Sequence, residues 1–195
     1  MKRIGILGGT FNPIHIGHLT MAQISLEQVR LDKVIFVPSF FPPHKRILNL
    51  ASAQHRLRMI QEGISGNACL EVSNFEIQKQ GKSYTVDTVK YFRDTLPKGT
   101  KLFFIIGGDS FPTLGRWKDI DAILKIVSLI VVNRPGYRMD NQKIKHLSVV
   151  MPGIDISSSF LRQRIRKGKS IKYLTVDPVA DYIQRHKLYN ASIED

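Results

Sequence analysis

GGTFNPIHIGH, residues 8–18 of the chain, directly follows the short run IGIL at residues 4–7. An apolar run of this length that is closed by two glycines is typical of a buried strand ending in a loop. Apolar residues then recur at helical spacing over residues 19–29. The sequence therefore predicts a unit of strand, glycine-containing loop and helix.

The glycines and histidines of this stretch favour an anion-binding site. Gly8 and Gly9 allow the backbone to approach a ligand closely, and Gly17 does the same where the helix begins. The first amides of a helix lack intrahelical partners and carry the positive end of its dipole, which stabilises a phosphate. His15 and His18 are three residues apart, so they share a helix face if the first turn has begun by residue 15. Both side chains would then converge on that anion.

Three other interpretations of the stretch were weighed. The glycines could serve only to shape a tight turn. The histidines could bind a metal, but zinc needs three or four ligands and the chain has one cysteine and no companion His/Glu cluster, so we predict no metal site. A nicotinamide-cofactor loop needs G-x-G-x-x-G and an acidic residue closing the second strand. The glycines here are Gly5, Gly8 and Gly9, and the second strand runs into Pro38.

The eleven residues resemble the signature of the HxGH nucleotidyltransferases. The resemblance implies transfer of AMP or CMP from a nucleoside triphosphate, with release of pyrophosphate. The commonest form of this signature has Asp where the chain has Asn12. One charge is therefore missing beside the triphosphate pocket that the resemblance implies.

Composition narrows the class of protein. The 195 residues are 43% hydrophobic, which suits one domain with a substantial core, and we predict a single domain over 1–195. Lys and Arg total 29 against 16 acidic residues, and the net charge of +13 predicts an anionic partner: nucleotide phosphates, nucleic acid or a lipid surface. A single cysteine, Cys69, excludes an internal disulfide framework. No secretory segment or membrane span is visible, so we expect a cytoplasmic protein.

Strands and helices alternate along the chain. Strands are predicted at 4–7, 34–37, 70–72, 102–106, 127–132 and 147–151, and helices at 19–29, 53–64, from about 85 to 96, at 120–124, from the serines at 157–159, and at 179–186. This pattern predicts an α/β fold: a Rossmann-like, doubly wound parallel sheet in a single domain with a small C-terminal helical part. Ligands of such sheets bind outside the carboxyl ends of the strands, and all the candidate segments fall there.

Two of those segments have both a structural and a functional interpretation. The prolines at 38, 42 and 43 predict an extended loop, either a solvated basic loop or an arm that holds Lys45 over the crevice. Ser83 or Thr85 can cap the helix that follows, with Asp87 in its first turn. The exposed amides of that helix could also bind a second anion.

Three further positions carry the same ambiguity. Asp109 follows the most apolar strand, where a carboxylate suits ribose hydroxyls or a metal but also an ordinary loop. Trp117 is the only tryptophan, and its small or polar neighbours favour a partly exposed stacking surface over a core position. The serines before Arg162 either cap a helix with a solvated basic face or form a phosphate cradle.

The resemblance extends over most of the chain. Ile156-Ser157-Ser158-Ser159-x-x-Arg162 is similar to the second family signature, a serine-rich turn with an arginine that grips the β and γ phosphates. Three segments and Trp117 resemble the bacterial branch of the family that adenylylates nicotinate mononucleotide; the segments are Pro42-Pro43-His44-Lys45, Ser83-Tyr84-Thr85-x-Asp87-Thr88 and Ile105-Ile106-Gly107-x-Asp109-Ser110. This implies a reaction of nicotinate mononucleotide with ATP that gives deamido-NAD and pyrophosphate, with Mg²⁺ bound mainly through the ATP phosphates.

The resemblance also implies roles for individual residues. The implied catalytic residues are His15, His18 and Arg162. The implied ATP site consists of Gly8, Gly9, Thr10, Phe11, His15, Gly17, His18, Asp109, Ile156, Ser157, Ser158 and Arg162. The implied acceptor site consists of Lys45, Tyr84, Thr85, Trp117 and Arg134. Among these, Thr10 and Ser158 would join the catalytic residues in holding phosphates, and Trp117 would stack on the pyridine ring.

The chemistry would be direct in-line displacement, which relies on positioning and on donors aimed at developing charge rather than on a protein nucleophile. A pocket of backbone N–H groups and a threonine hydroxyl would prefer nicotinate, because an amide also needs an acceptor. Two alternatives stay open: a pantetheine-phosphate transferase of the same family and a basic nucleic-acid-binding protein. Against the latter, no aromatic and basic residues interleave along a predicted sheet face. We expect no nucleic-acid or membrane partner; a homo-oligomer is compatible with the sequence.

Overall fold

The computed structural model describes residues 1–41, 50–133 and 144–190. Six strands form one sheet: β1 (Arg3–Gly9), β2 (Lys33–Pro38), β3 (Leu70–Val72), β4 (Lys101–Gly107), β5 (Val127–Asn133) and β6 (His146–Val150). Every pairing is parallel, and the order is β3-β2-β1-β4-β5-β6. The chain therefore winds outward from β1 in both directions, which confirms the doubly wound sheet and creates a switch point between β1 and β4.

Seven α-helices lie in the described part of the chain: α1 (Ile16–Gln28), α2 (Ala53–Ile64), α3 (Phe75–Lys79), α4 (Thr85–Thr95), α5 (Ile120–Ile126), α6 (Ser158–Arg166) and α7 (Asp177–Arg185). A 3₁₀ helix covers Phe111–Arg116. The sequence did not predict α3 or the 3₁₀ helix. None of the helices in these described ranges has both the length and the apolar character needed to span a bilayer.

The two faces of the sheet carry separate apolar clusters. Alternate residues of β4 point to opposite sides, so that Phe103 and Ile105 belong to one cluster and Phe104 and Ile106 to the other. The first cluster includes residues of α1, α2, α6 and α7, and the second includes residues of α4, α5 and the 3₁₀ helix. Helices thus cover both faces, as a parallel sheet requires.

Two of the helix starts follow directly from local sequence. Ser52 caps α2, since its Oγ accepts a hydrogen bond from His55 N at 3.2 Å. Ser157 caps α6 in the same way, accepting from Phe160 N at 3.2 Å. Each cap precedes a helix with an apolar face, and both helices begin where the sequence predicts.

Candidate functional site

The loop between β1 and α1 is fixed through its own carbonyl groups. Four of its carbonyl oxygens accept a hydrogen bond from a side chain of a distant segment: Thr10 O from Arg56 (2.9 Å), Asn12 O from Arg162 (2.7 Å), Pro13 O from Ser158 (2.8 Å) and Ile14 O from Thr175 (3.0 Å). These oxygens are directed at protein donors. The arrangement therefore keeps the repulsive ends of the peptide dipoles away from an anion in the crevice.

The two histidines lie against each other at the start of α1. His15 is the N-cap residue, and its ring centroid lies 3.8 Å from that of His18. The main-chain N–H of His15 donates to His18 Nδ1 at 3.3 Å, while His18 N donates to His15 O at 2.9 Å. The two side chains lie together, as predicted, and their contact with an anion stays a prediction.

His18 is held in its neutral form. Burial, and secondarily the neighbouring His15, lower the pKa of His18 well below its ordinary value of 6.5. Because Nδ1 accepts from the His15 main chain, the single ring proton of the neutral form is on Nε2. The side chain thus offers one N–H donor at pH 7.

The glycines of the motif make room for the protein's own side chains. A Cβ atom at Gly17 would lie 3.1 Å from two atoms of the His15 ring, and one at Gly9 would lie 2.9 Å from the Phe11 ring. A Cβ at Gly8 would lie 3.2 Å from Phe104. The sequence interpretation attributed these glycines to a close ligand approach, but the structure shows that they also accommodate internal packing.

The helix amides are less available than the sequence predicted. Ile16 N donates to Leu174 O at 3.1 Å, and His18 N donates to His15 O. Two of the first three amides of α1 are therefore already engaged. An anion at this end of α1 would depend correspondingly more on the imidazole and guanidinium donors.

Phe11 and Asn12 are buried inside the loop. Phe11 is 2% exposed, adopts a left-handed φ of 48°, and packs its ring against Phe36 and His18. Only its main chain is thus positioned to reach a nucleotide. Asn12 is 1% exposed, and its Oδ1 accepts from Ala51 N (3.0 Å) and Tyr189 Oη (2.8 Å). Its side chain lies in the protein interior rather than beside a triphosphate pocket, which corrects the expectation for position 12.

The serine-rich turn supports the loop after β1. The Ser158 hydroxyl donates its single proton to Pro13 O, and Ser157 caps α6. In this conformation the Ser158 proton is directed at the loop and not at a phosphate, whereas Ser157 Oγ accepts from Phe160 N and its own O–H remains able to donate. Ile156 is half-buried and packs against the first apolar cluster.

Arg162 of α6 contacts the loop after β1. Its Nη1 donates to Asn12 O at 2.7 Å and its Nη2 to Ser159 Oγ at 3.1 Å. A guanidinium group has five N–H donors, so three remain for other acceptors. Burial lowers the pKa of Arg162 from its ordinary value, but the group stays charged at neutral pH.

Asp109 lies beyond the end of β4 on the α1 side of the sheet. It is exposed, and a Cβ atom at Gly107 would lie 2.5 Å from its Oδ1 and 3.5 Å from Met21 of α1. Gly107 therefore allows the carboxylate to lie over the strand end. The loop after β1 and Asp109 follow the carboxyl ends of two adjacent strands, at the switch point where the fold predicts a ligand.

The residues implied for the acceptor side lie on the other face of the sheet. Tyr84 is the N-cap residue of α4 and Thr85 its first residue, while Trp117 follows the 3₁₀ helix. Tyr84 and Trp117 are half-buried against the second apolar cluster, and the Trp117 ring makes an edge contact with Phe104 at 5.8 Å. The predicted partly exposed position of Trp117 is confirmed. The predicted side-chain cap by Ser83 or Thr85 is wrong, because α4 has no such cap.

Lys45 and Arg134, the remaining residues of the implied acceptor site, lie outside the described residues. Within the described ranges, no group of three or more His, Cys, Asp or Glu side chains could hold a metal ion.

Sequence analysis missed two buried groups beside the motif, Arg56 and Tyr189. Arg56 is 1% exposed and donates only to main-chain oxygens in the bonds that it forms. Burial raises the pKa of Tyr189, whose hydroxyl donates to Asn12. The signal for Arg56 was its place on the apolar face of α2, in register with Ala53 and Ile60.

The chain resembles known nucleotidyltransferases in both sequence and structure. Residues 6–164 match the model of the family described as cytidylyltransferase-like. A probable nicotinate-nucleotide adenylyltransferase of Shouchella clausii is 40% identical over 194 residues, covering 100% of each chain. One of Halalkalibacterium halodurans is 43% identical over 194 residues, covering 98% of this chain and 93% of that protein.

Solved structures share the fold. A Plasmodium falciparum nicotinic acid mononucleotide adenylyltransferase complexed with APC superposes with a TM-score of 0.79 at 20% identity, covering 97% of this chain and 98% of that one. The structure of that enzyme complexed with NaAD superposes with a TM-score of 0.77, at the same identity and with the same coverage of both chains. Together with the HxGH loop at the β1/β4 switch point, these matches place the chain in the cytidylyltransferase-like nucleotidyltransferases, within the family of nicotinate-nucleotide adenylyltransferases.

Proposed function

We propose that the protein transfers AMP from ATP to nicotinate mononucleotide, giving deamido-NAD and pyrophosphate in NAD biosynthesis. The observation that carries this proposal is the loop after β1, whose carbonyl groups are held by buried or half-buried donors while His15 and His18 lie together at its end. This geometry supports binding of a polyphosphate at the switch point. The family relationship supports the identity of the acceptor.

The reaction is a single in-line displacement. A phosphate oxygen of nicotinate mononucleotide forms a bond to the α-phosphorus of ATP as the bond from that phosphorus to the bridging oxygen of pyrophosphate breaks. The leaving pyrophosphate takes the bonding electrons. No protein nucleophile is needed, so the rate depends on holding the reactants in line and on stabilising charge on the equatorial oxygens.

On the ATP side, the proposed donors are side chains. We assign the His18 Nε2–H to the α-phosphate and the unused N–H groups of Arg162 to the β and γ phosphates. His15 and Thr10 complete the phosphate contacts, and Asp109 accepts from the ribose region. Main-chain groups of Gly8, Gly9, Phe11, Gly17 and the segment Ile156–Ser158 line the same site, with Ser158 acting through the loop that it holds.

On the acceptor side, Trp117 stacks on the pyridine ring and Thr85 with nearby amides of α4 binds its carboxylate. Tyr84, Lys45 and Arg134 complete the proposed acceptor site. A carboxylate needs only donors, whereas a carboxamide also needs an acceptor, so these groups favour nicotinate over nicotinamide mononucleotide.

We propose that Mg²⁺ enters bound to the phosphates of ATP. The described residues offer no cluster of carboxylates or imidazoles for a resident ion, so we derive no step through a protein-bound metal. The high positive charge fits two anionic substrates without a nucleic-acid partner. We propose that the reaction takes place in the cytoplasm, and a homo-oligomer is a further proposal.

The test is pyrophosphate release with ATP and Mg²⁺, measured separately with nicotinate mononucleotide, nicotinamide mononucleotide and phosphopantetheine, with products identified by mass. Selective formation of the deamido dinucleotide is expected. Release with phosphopantetheine instead would keep the transfer chemistry and refute the assignment of Thr85 and Trp117. Absence of release with all three acceptors would refute the proposed function.

A further inference from the structure

Arg56 is an unusual group for the interior of this protein. It is 1% exposed, and it belongs to α2, which lies on the α1 side of the sheet. Its guanidinium takes part in none of the ion pairs found in the described ranges. A buried charge of this kind persists only where its hydrogen-bonding capacity is met, so its partners indicate what it does.

The partners of Arg56 are four main-chain carbonyl groups from three segments of the chain. Nη1 donates to Thr10 O (2.9 Å) and Ser39 O (2.6 Å), Nη2 to Phe40 O (3.2 Å), and Nε to Ala51 O (3.0 Å). Thr10 belongs to the loop after β1, and Ser39 and Phe40 follow β2. The planar guanidinium group of Arg56 thus links the carboxyl ends of the adjacent strands β1 and β2.

The connection continues from Phe40 to the acceptor side. Phe40 N donates to Ser83 Oγ at 2.9 Å, and Ser83 N donates to Phe41 O at 3.0 Å. Ser83 immediately precedes Tyr84, the N-cap residue of α4, and Thr85. A continuous path of hydrogen bonds therefore runs from Thr10 through Arg56, Phe40 and Ser83 to the start of α4.

We propose that Arg56 is a positioning residue that sets the placement of the ATP loop relative to the acceptor helix α4. This inference rests on the proposed function, which puts the two reacting phosphates between these elements. In-line transfer requires the reacting atoms to approach within about 3–3.5 Å in the correct direction, so a small relative displacement slows chemistry. Each substrate still meets its own donors, so binding changes less than turnover.

The first variant is Arg56→Lys, which keeps the positive charge but replaces the fork by one ammonium group. A lysine cannot bridge four carbonyl groups in different directions. We expect kcat to fall about 10-fold to 100-fold, with the KM values for ATP and nicotinate mononucleotide within about threefold of wild type. Met59→Ala, a fully buried change on the same helix, should lower the melting temperature without lowering kcat per folded molecule.

The second variant breaks the path at its other end. Ser83→Ala removes the acceptor of Phe40 N and should also lower kcat more than it changes either KM. Its matched control is Thr88→Val, because Thr88 and Ser83 both hydrogen-bond Glu76 but only Ser83 contacts Phe40. The double variant Arg56→Lys/Ser83→Ala should lose little more kcat than the more damaging of the two single variants, since both changes break one path.

These outcomes separate the two proposals. Wild-type kcat in folded Arg56→Lys, or additive losses in the double variant, would overturn the positioning role while leaving the adenylyl transfer intact. If Arg56→Lys does not fold, an unchanged kcat in Ser83→Ala has the same meaning. Failure of the wild-type protein to transfer AMP to any acceptor would refute the proposed function and the positioning role with it.

Discussion

The loop after β1 and the segments around Thr85 and Trp117 lie on opposite faces of the sheet, near the carboxyl ends of its strands. The two regions are held in place by different kinds of contact. The loop is fixed through main-chain carbonyl groups, each bonded to a buried or half-buried donor from far along the chain. Tyr84 and Trp117 instead rest on apolar neighbours, and α4 begins without a side-chain cap.

This difference indicates where rate and affinity arise. The hydrogen bonds to its carbonyl groups fix the geometry of the loop before ATP binds. Substitutions in or beside this loop should therefore reduce turnover. On the acceptor side, we propose that half-buried side chains contact a small ring, so changes to those side chains should mainly reduce affinity. The following predictions test this division.

The largest effect is expected for His18→Ala. Removal of one preorganised donor at a developing charge costs about 10²-fold to 10³-fold in kcat. Steady-state rates of deamido-NAD formation would measure it, with the fold checked by circular dichroism. His186→Ala, which removes an exposed histidine at the end of α7, is the control. A wild-type kcat in His18→Ala would contradict the assignment.

Arg162→Lys should have the next largest effect. Hydrogen bonds to charged groups contribute about 1.5–3 kcal/mol each, so loss of the fork should lower kcat/KM for ATP about 10-fold to 100-fold. Initial rates at varied ATP measure the change. Arg166→Lys on the exposed part of the same helix should leave kcat/KM unchanged. Equal losses in the two variants would argue for a general charge effect.

Trp117→Ala should raise KM for nicotinate mononucleotide, because stacking of a base on an aromatic side chain contributes about 1–3 kcal/mol. An increase of roughly 5-fold to 100-fold is expected, with KM for ATP unchanged. Tyr173→Ala removes a ring that is 77% exposed on the C-terminal part and serves as the control. A rise in both KM values would show that Trp117, through its contact with Phe104, supports both substrate sites. It would argue against a role limited to stacking on the pyridine ring.

The smallest effect concerns pH. The folded pKa of His18 lies below its unfolded value near 6.5, so the unfolded chain binds a proton first as the pH falls. This group therefore stabilises the fold above pH 6.5, and that contribution is lost as the pH drops toward the folded pKa. Urea unfolding at pH 7.5 and 5.5 should show a shallower pH dependence in His18→Gln than in wild type, by at most about tenfold in the unfolding equilibrium constant per pH unit. Identical slopes would contradict a neutral His18.

Local sequence was sufficient to predict most of the framework. The predicted bounds of α2 and β3 agree with the structure because Ser52 provides a cap and apolar residues follow at clear intervals. The five residues of α3 are too few for a helical period to appear, so that helix was missed.

The candidate site was predictable only in part, for a physical reason. The residues of the motif can be recognised in the sequence by their type and spacing. The side chains that donate hydrogen bonds to the motif's carbonyl groups cannot be recognised in this way. Ser158 and Asn12 show this: their polar side chains resemble ligand contacts in sequence, yet both are used inside the protein. These contacts join residues 39 to 177 positions apart, which no local pattern records.

The long span of these contacts also bears on the order in which the protein can become active during synthesis. The motif occupies residues 8–18, but its anchors Arg162, Thr175 and Tyr189 are synthesised 150 to 177 residues after the loop residues that they contact. A nascent chain emerging from the ribosome would therefore carry the strand and the histidines long before it could hold them in place. Competence to bind ATP should appear only when these three residues have reached the loop after β1.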